Sequence, residues 1–324
     1  MNTKPLKLVV LDGHTANPGD LNWSPITELG ECSIYPRTQS TQLRERIQGA
    51  EAVLTNKVAL DKTTLDTAPS LRYIEVMATG HDVVDVRAAS EKGMVVTNIP
   101  SYSTSSIAQG AIAFLLELTN NVGHHNQTVH DGKWCKSSDF CYWERPILEL
   151  KGLKLGVIGF GAIGRSVANI ASALGMSILT NSRTKRESPP GLEAKFCDLE
   201  TLLKESDVVT LHCPLTPQTI GLIGYKALGM MKKSAFLLNT ARGGLIVEQD
   251  LADALNSGEI AGAALDVLST EPPNESNPLF SAQNCIITPH HCWASMATRK
   301  ELLAQTAANL RAYLSGQPIN IVNP

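Results

Sequence analysis

No uninterrupted apolar run in the sequence approaches the roughly 20 residues that a membrane-spanning helix needs. The opening MNTKPLKLVVLDG carries an apolar stretch only as long as one buried strand, so no signal peptide is expected and no membrane partner either. Charge of either sign is scarce. The 28 Lys and Arg nearly balance the 31 Asp and Glu, and a formal net charge of −3 gives no electrostatic reason to expect a nucleic-acid partner. The seven cysteines contain no CxxC pair, and an odd, scattered set fits neither a disulfide framework nor a zinc site. Reduced thiols in the cytoplasm are the simplest expectation. His124, His125 and His130 lack the i,i+4 spacing of helical metal ligands, so no metal is expected. Internal repeats and low-complexity tracts are also missing.

What the chain does have is length and rhythm. Its 324 residues suffice for two domains of ordinary size. Strand candidates fall at 6–12, 52–56, 71–77, 94–99, 153–159, 178–181, 207–213, 235–240, 262–268 and 285–288. Many are continuously apolar, as parallel strands covered on both faces are. Helix-length segments separate them, which predicts βαβ units and doubly wound parallel sheets of the α/β class. Residues 124–150 break the rhythm. They are polar and aromatic (Trp134, Phe140, Tyr142, Trp143) with no clear helical period, and suit either a subunit interface or a loop folded on its own domain.

Residues 153–164 read LKLGVIGFGAIG, an apolar strand followed by Gly159, Gly161 and Gly164 in GxGxxG spacing, with a helix pattern closed by Gly175. Gly159 permits the tight turn, Gly161 lets a pyrophosphate approach the backbone, and Gly164 allows close helix–strand packing. The helix N-terminus then faces the anion. Such motifs are weak alone, but both flanks here agree with dinucleotide binding. The next strand ends at Ser182, followed by Arg183, Lys185 and Arg186, where NAD-binding chains place an acid for the ribose. A hydroxyl and a guanidinium suit a 2′-phosphate, so NADP(H) is expected to be favoured over NAD(H); the alternative is an exposed basic turn.

Three later strand ends each carry one polar group. Arg242 follows AFLLNT, Glu271 follows the strand containing Asp266, and His290 follows IITP. Reduction of a 2-keto acid needs a cation for the carboxylate, a proton donor for the carbonyl and a group that tunes that donor. Arg242, His290 and Glu271 supply these respectively. Singly, each residue has a bland reading as a solvated charge, a turn residue or a core histidine.

Their order after the glycine motif resembles that of the D-isomer-specific 2-hydroxyacid dehydrogenase family. The matching stretches are VMATGHDVVD, NIPSYSTSSIAQ, GVIGFGAIG, HCPLTPQT, NTARGG, AALDVLSTEPP and IITPHHCWAS, which span nearly the whole chain. VVLDGHTANPGDLNW and SSDFCYWERPILELKG lean toward its glycerate dehydrogenase, or hydroxypyruvate reductase, branch. The resemblance implies Arg242, Glu271 and His290 as the catalytic trio, with Arg242 and the backbone amides of Ala78, Thr79 and Gly80 holding substrate. It implies cofactor contacts at Thr104, Gly161, Ile163, Ser182, Arg183, Cys213, Pro214, Thr219, Thr240 and Asp266, the last orienting the nicotinamide carboxamide. It further implies a Rossmann cofactor domain (99–286) inserted into a flavodoxin-like substrate domain (1–98 and 287–324), closing over a cleft that excludes water. The partners expected are a small 2-keto or 2-hydroxy acid and a second copy of the chain in a homodimer. His291, His81 and Gly244 depart from the family's usual residues. Other readings are a dehydrogenase for another D-2-hydroxy acid such as lactate, or a dinucleotide-sensing binding protein on the same fold.

Overall fold

A computed structural model describes residues 5–323. The chain forms two compact units, one running up to Ser103 and resuming at Ala294, the other spanning Thr104–Trp293. These breaks lie beyond the 98/99 and 286/287 positions expected from the sequence, for a packing reason. The helix Thr104–Asn120 lies against the helix Ala162–Ala173 of the second unit, and Cys292 is buried in that unit's core.

The first unit is built on β1 (Lys7–Val10), β2 (Glu31–Ile34), β3 (Ala52–Thr55), β4 (Tyr73–Val76) and β5 (Val95–Asn98). All are parallel, in the order β2-β1-β3-β4-β5, the flavodoxin-like arrangement. Every residue of β3 and β4 is buried, which explains their unbroken apolar runs apart from Glu75. That carboxyl is fully buried in β4. Tyr73 Oη donates to its Oε2 at 2.6 Å, Thr97 Oγ1 donates to the same oxygen, and Asn309 Nδ2 donates to Oε1 at 3.0 Å. Burial pushes Glu75 up to about 7. Asn309 belongs to the helix Met296–Leu314, so this polar cluster ties the chain's last helix to the sheet.

The second unit carries β6 (Lys154–Ile158), β7 (Ser177–Asn181), β8 (Ala194–Phe196), β9 (Val208–Leu211), β10 (Phe236–Asn239), β11 (Gly262–Leu265) and β12 (Cys285–Ile287). Read from β8, the parallel order β8-β7-β6-β9-β10-β11-β12 is the 3-2-1-4-5-6 Rossmann order extended by one strand. The order reverses between β6 and β9. There His212 N donates to Ile158 O at 2.7 Å.

Two edge strands and one helix were not foreseen from the sequence. β2 and β8 are short and only half-buried, so neither shows the continuous apolar run of an inner strand. Residues 122–130 form a helix, Val122–His130, within a segment whose sequence shows no period. None of its residues is buried, so nothing requires an apolar stripe.

Candidate active site

The glycine motif folds as its spacing demands. Gly159 adopts φ +95°, in the left-handed region, and a Cβ on Gly164 would overlap the carbonyl oxygen of Gly159. Gly161 is the N-cap of the helix Ala162–Ala173, and a Cβ added there would meet no atom within 4 Å. Close packing at Gly164 and open space at Gly161 form a cradle for a phosphate beside the positive end of a 12-residue helix. Ile163, in that helix's first turn, packs against the core. Thr240, just past β10, is 7% exposed, and its buried Oγ1 has no partner among the described residues. A buried hydroxyl without a partner is costly unless a ligand meets it. The cradle and the orphaned hydroxyl both fit a dinucleotide.

Ser182 and Arg183 follow β7 directly, and no carboxylate intervenes before Glu187. Arg183 is exposed, as are Lys185 and Arg186. Arg165, in the helix after the glycines, approaches from the other side, its guanidinium 3.5 Å from Glu187 O. Cys213 and Pro214 stand just past β9 at the reversal of strand order, and burial pushes the Cys213 thiol up. Thr219 Oγ1 donates to Pro214 O at 2.7 Å and accepts from Thr216 N at 2.7 Å, closing that loop. Thr104 opens the helix Thr104–Asn120.

Glu271 and His290 come together although 19 residues separate them: His290 Nδ1 lies 2.6 Å from Glu271 Oε2. Glu271 Oε1 accepts from Leu268 N at 3.0 Å, so both carboxylate oxygens are engaged. His290 holds φ +51°, unusual for a residue with a Cβ. The Arg242 turn is shaped by Asn239, whose Nδ2 donates to Arg242 O at 2.8 Å and whose Oδ1 accepts from Ala241 N at 3.0 Å. A Cβ on Gly243 would overlap the backbone of Leu268 and Ser269, so glycine is what lets this turn lie against the segment leading to Glu271.

Asp266 also has a structural role. It is 2% exposed, and its carboxylate accepts from Thr288 Oγ1 at 2.6 Å, His291 N at 2.9 Å and Cys292 N at 3.0 Å. It fastens the segment that carries His290. Sequence reasoning missed this anchoring role, and it missed Asn239 and Gly243. The NTARGG stretch holds the last two, but only the folded turn shows what they do.

In the first unit, Ala78, Thr79 and Gly80 follow β4. Ala78 N donates to Val76 O at 2.7 Å, while no acceptor is found for the Thr79 or Gly80 amide among the described residues. The turn is braced from β5: Asn98 Nδ2 donates to Thr79 O at 2.7 Å, and Thr79 Oγ1 donates to Ile99 O at 2.8 Å. Two adjacent amides left unpaired at a strand's carboxyl end suit an anion.

The chain belongs to the D-isomer-specific 2-hydroxyacid dehydrogenase family: the model of that family's NAD-binding domain matches residues 112–292. It is 48% identical over 321 residues to a hydroxypyruvate reductase of Blautia hydrogenotrophica, covering 98% of this chain and 100% of that one. A glycerate dehydrogenase of Methylorubrum extorquens is 42% identical over 89% of this chain and 91% of its own. Among solved structures, the NADPH-dependent glyoxylate/hydroxypyruvate reductase of Sinorhizobium meliloti, in complex with NADP and malonate, superposes with a TM-score of 0.82. It is 28% identical, with 99% of this chain and 97% of that chain covered.

Proposed function

We propose that the protein reduces hydroxypyruvate to D-glycerate and glyoxylate to glycolate with a nicotinamide dinucleotide, NADPH in preference to NADH. The observation that carries this reading is the 2.6 Å pairing of His290 with Glu271, beside a glycine-shaped turn bearing Arg242. The bound dinucleotide supplies the hydride. Arg242 holds the substrate's carboxylate and polarises its carbonyl with a planar fork of donors. His290 presents Nδ1 to Glu271, which leaves Nε2 to deliver a proton to the carbonyl oxygen. Glu271, hydrogen-bonded to Nδ1, orients the imidazole for this delivery. In the first unit, Thr79 and Gly80, whose amides have no acceptor among the described residues, are the candidates for holding a carboxylate oxygen. The preference for NADPH rests on Ser182 and Arg183 standing where a carboxylate would repel a 2′-phosphate.

The domain roles in this reading are dinucleotide binding and catalysis for the unit spanning Thr104–Trp293, and keto-acid selection for the other. The homodimer is supported by Phe140, 90% exposed, and Trp143, 68% exposed, within one polar–aromatic segment. A cytoplasmic setting is supported by seven cysteines that are all free. The test of the activity is NADPH and NADH oxidation with hydroxypyruvate, glyoxylate and pyruvate. Turnover of hydroxypyruvate and glyoxylate at the highest kcat/KM is expected; a large preference for pyruvate, or no oxidation with any of the three, overturns the reading.

A further inference from the structure

Asp12 stands just beyond β1, at the N-cap position of the short helix Gly13–Ala16, yet its side chain makes no capping bond there. The carboxylate turns instead to a loop more than forty residues away. It accepts from Asn56 N at 2.8 Å, Lys57 N at 2.6 Å and Val58 N at 3.2 Å, three consecutive amides past the end of β3. Asp12 is 8% exposed and Asn56 2% exposed, so water cannot replace these bonds. Burial raises the Asp12 carboxyl although the three amides and the Lys57 charge pull it down. An ionised group kept in such a place is usually kept for its bonds.

Asn56 relays the constraint. Its Nδ2 donates to Met77 O at 2.5 Å, immediately before the turn whose Thr79 and Gly80 amides have no acceptor among the described residues. Its Oδ1 is buried with no partner among the described residues, which leaves the bond to Met77 O and the Asp12 carboxylate on its amide to fix its place. β3 and β4 are adjacent parallel strands, so residues 56–58 and 77–80 lie side by side at the carboxyl edge of the sheet, where open α/β sheets take their ligands.

We infer that Asp12 is a positioning residue for substrate selection, which fixes the conformation of residues 56–58 and, through Asn56, of the turn at 77–80. It never meets the substrate. This rests on the keto-acid reading above, because residues 56–58 and 79–80 matter to substrate only if this edge binds it. An aspartate is required because the site offers donors alone. Asn at position 12 would turn an amide NH2 toward backbone N–H groups, setting donor against donor.

The test is Asp12→Asn, assayed with hydroxypyruvate and with phenylpyruvate, a bulkier keto acid. We expect KM for hydroxypyruvate to rise by about tenfold or more, as for loss of a charge-assisted hydrogen bond, with kcat falling less and discrimination against phenylpyruvate relaxed. The Kd for NADPH should stay at the wild-type value, because the other unit carries the glycine cradle. Amide hydrogen exchange, which needs no substrate, should speed up at residues 56–58 and 77–80 while β3 stays protected. Wild-type KM values with unchanged exchange overturn the proposal. Exchange accelerated evenly across the first unit also overturns it, since that marks a general loss of stability. If Asp12→Asn does not fold, Asn56→Ala tests the relay: a raised KM for hydroxypyruvate supports it, and an unchanged KM overturns it. If the wild-type protein reduces neither hydroxypyruvate nor glyoxylate, the functional reading fails, and exchange at 56–58 still decides whether Asp12 sets the loop.

Discussion

His290 Nδ1 and Glu271 Oε2 stand 2.6 Å apart, and the next residue, His291, points elsewhere, its ring 3.9 Å from Asp266 Oδ1 and 57% exposed. Two adjacent imidazoles thus face different carboxylates. His290→Gln is expected to lower kcat by roughly 10²–10⁴, the range for losing general acid catalysis, with dinucleotide binding retained. His291→Gln should keep most activity. Steady-state kinetics on the two variants checks this, and a dead His291→Gln would reverse the assignment.

Glu271→Gln keeps the shape of the side chain but sets an amide where a carboxylate oxygen lies 2.6 Å from His290 Nδ1. With that charge-assisted hydrogen bond weakened, kcat for keto-acid reduction should fall by roughly tenfold or more while the dissociation constant for NADPH holds. Steady-state kinetics on the variant checks this, and a wild-type kcat would remove Glu271 from this role.

Arg183→Ala should weaken NADPH far more than NADH. A charge-assisted contact to a 2′-phosphate contributes on the order of 1.5–3 kcal/mol, enough for a tenfold or larger change in preference. Dissociation constants for both cofactors decide it. Equal losses would make the stretch after β7 a solvated basic turn.

Gly243→Ala forces a Cβ into the backbone of Leu268 and Ser269, which cannot yield as a side-chain tip can. Overpacking of this kind costs typically about 1–3 kcal/mol. The variant should melt at a lower temperature, and kcat/KM should fall further than stability alone explains, because the displaced segment carries Glu271. Full activity would show that the two turns need not touch.

Glu75 predicts a pH effect on stability. Its carboxyl is pushed up to about 7 by burial, from an ordinary value of 4.5. A raised carboxyl contributes stability while protonated, and that contribution declines as pH rises from 4.5 through 7. The slope is roughly 1.4 kcal/mol per pH unit within that window. Denaturant unfolding of wild type and Glu75→Gln across pH 5–8 checks it; the variant should show a flatter dependence.

Much of this was legible in the chain. Continuous apolar runs marked the inner strands because those strands are buried on both faces. β2 and β8 went unread because each is short and part-exposed, with no residue fully buried, so neither carries an apolar run. The glycine motif could be read because each glycine answers a local steric demand, as the overlap at Gly164 shows. Arg242, Glu271 and His290 were visible as polar groups at strand ends. The 2.6 Å contact between two of them was not, since it depends on how far each loop extends past its strand. The three bonds of Asp266 to residues 288–292 were hidden, because neither spacing nor periodicity records where a buried carboxylate turns.

The left-handed backbone of His290, at φ +51°, sets heat resistance against turnover at one position. For a side chain with a Cβ this conformation costs roughly 1–2 kcal/mol, a cost that glycine escapes. Replacing the histidine with glycine would therefore relax the loop while removing the side chain proposed above as proton donor. A population selected only for surviving heat would drift toward glycine at 290 and go silent as it hardened. Where stabilised forms of this enzyme are sought, position 290 must be held fixed and the gain found elsewhere.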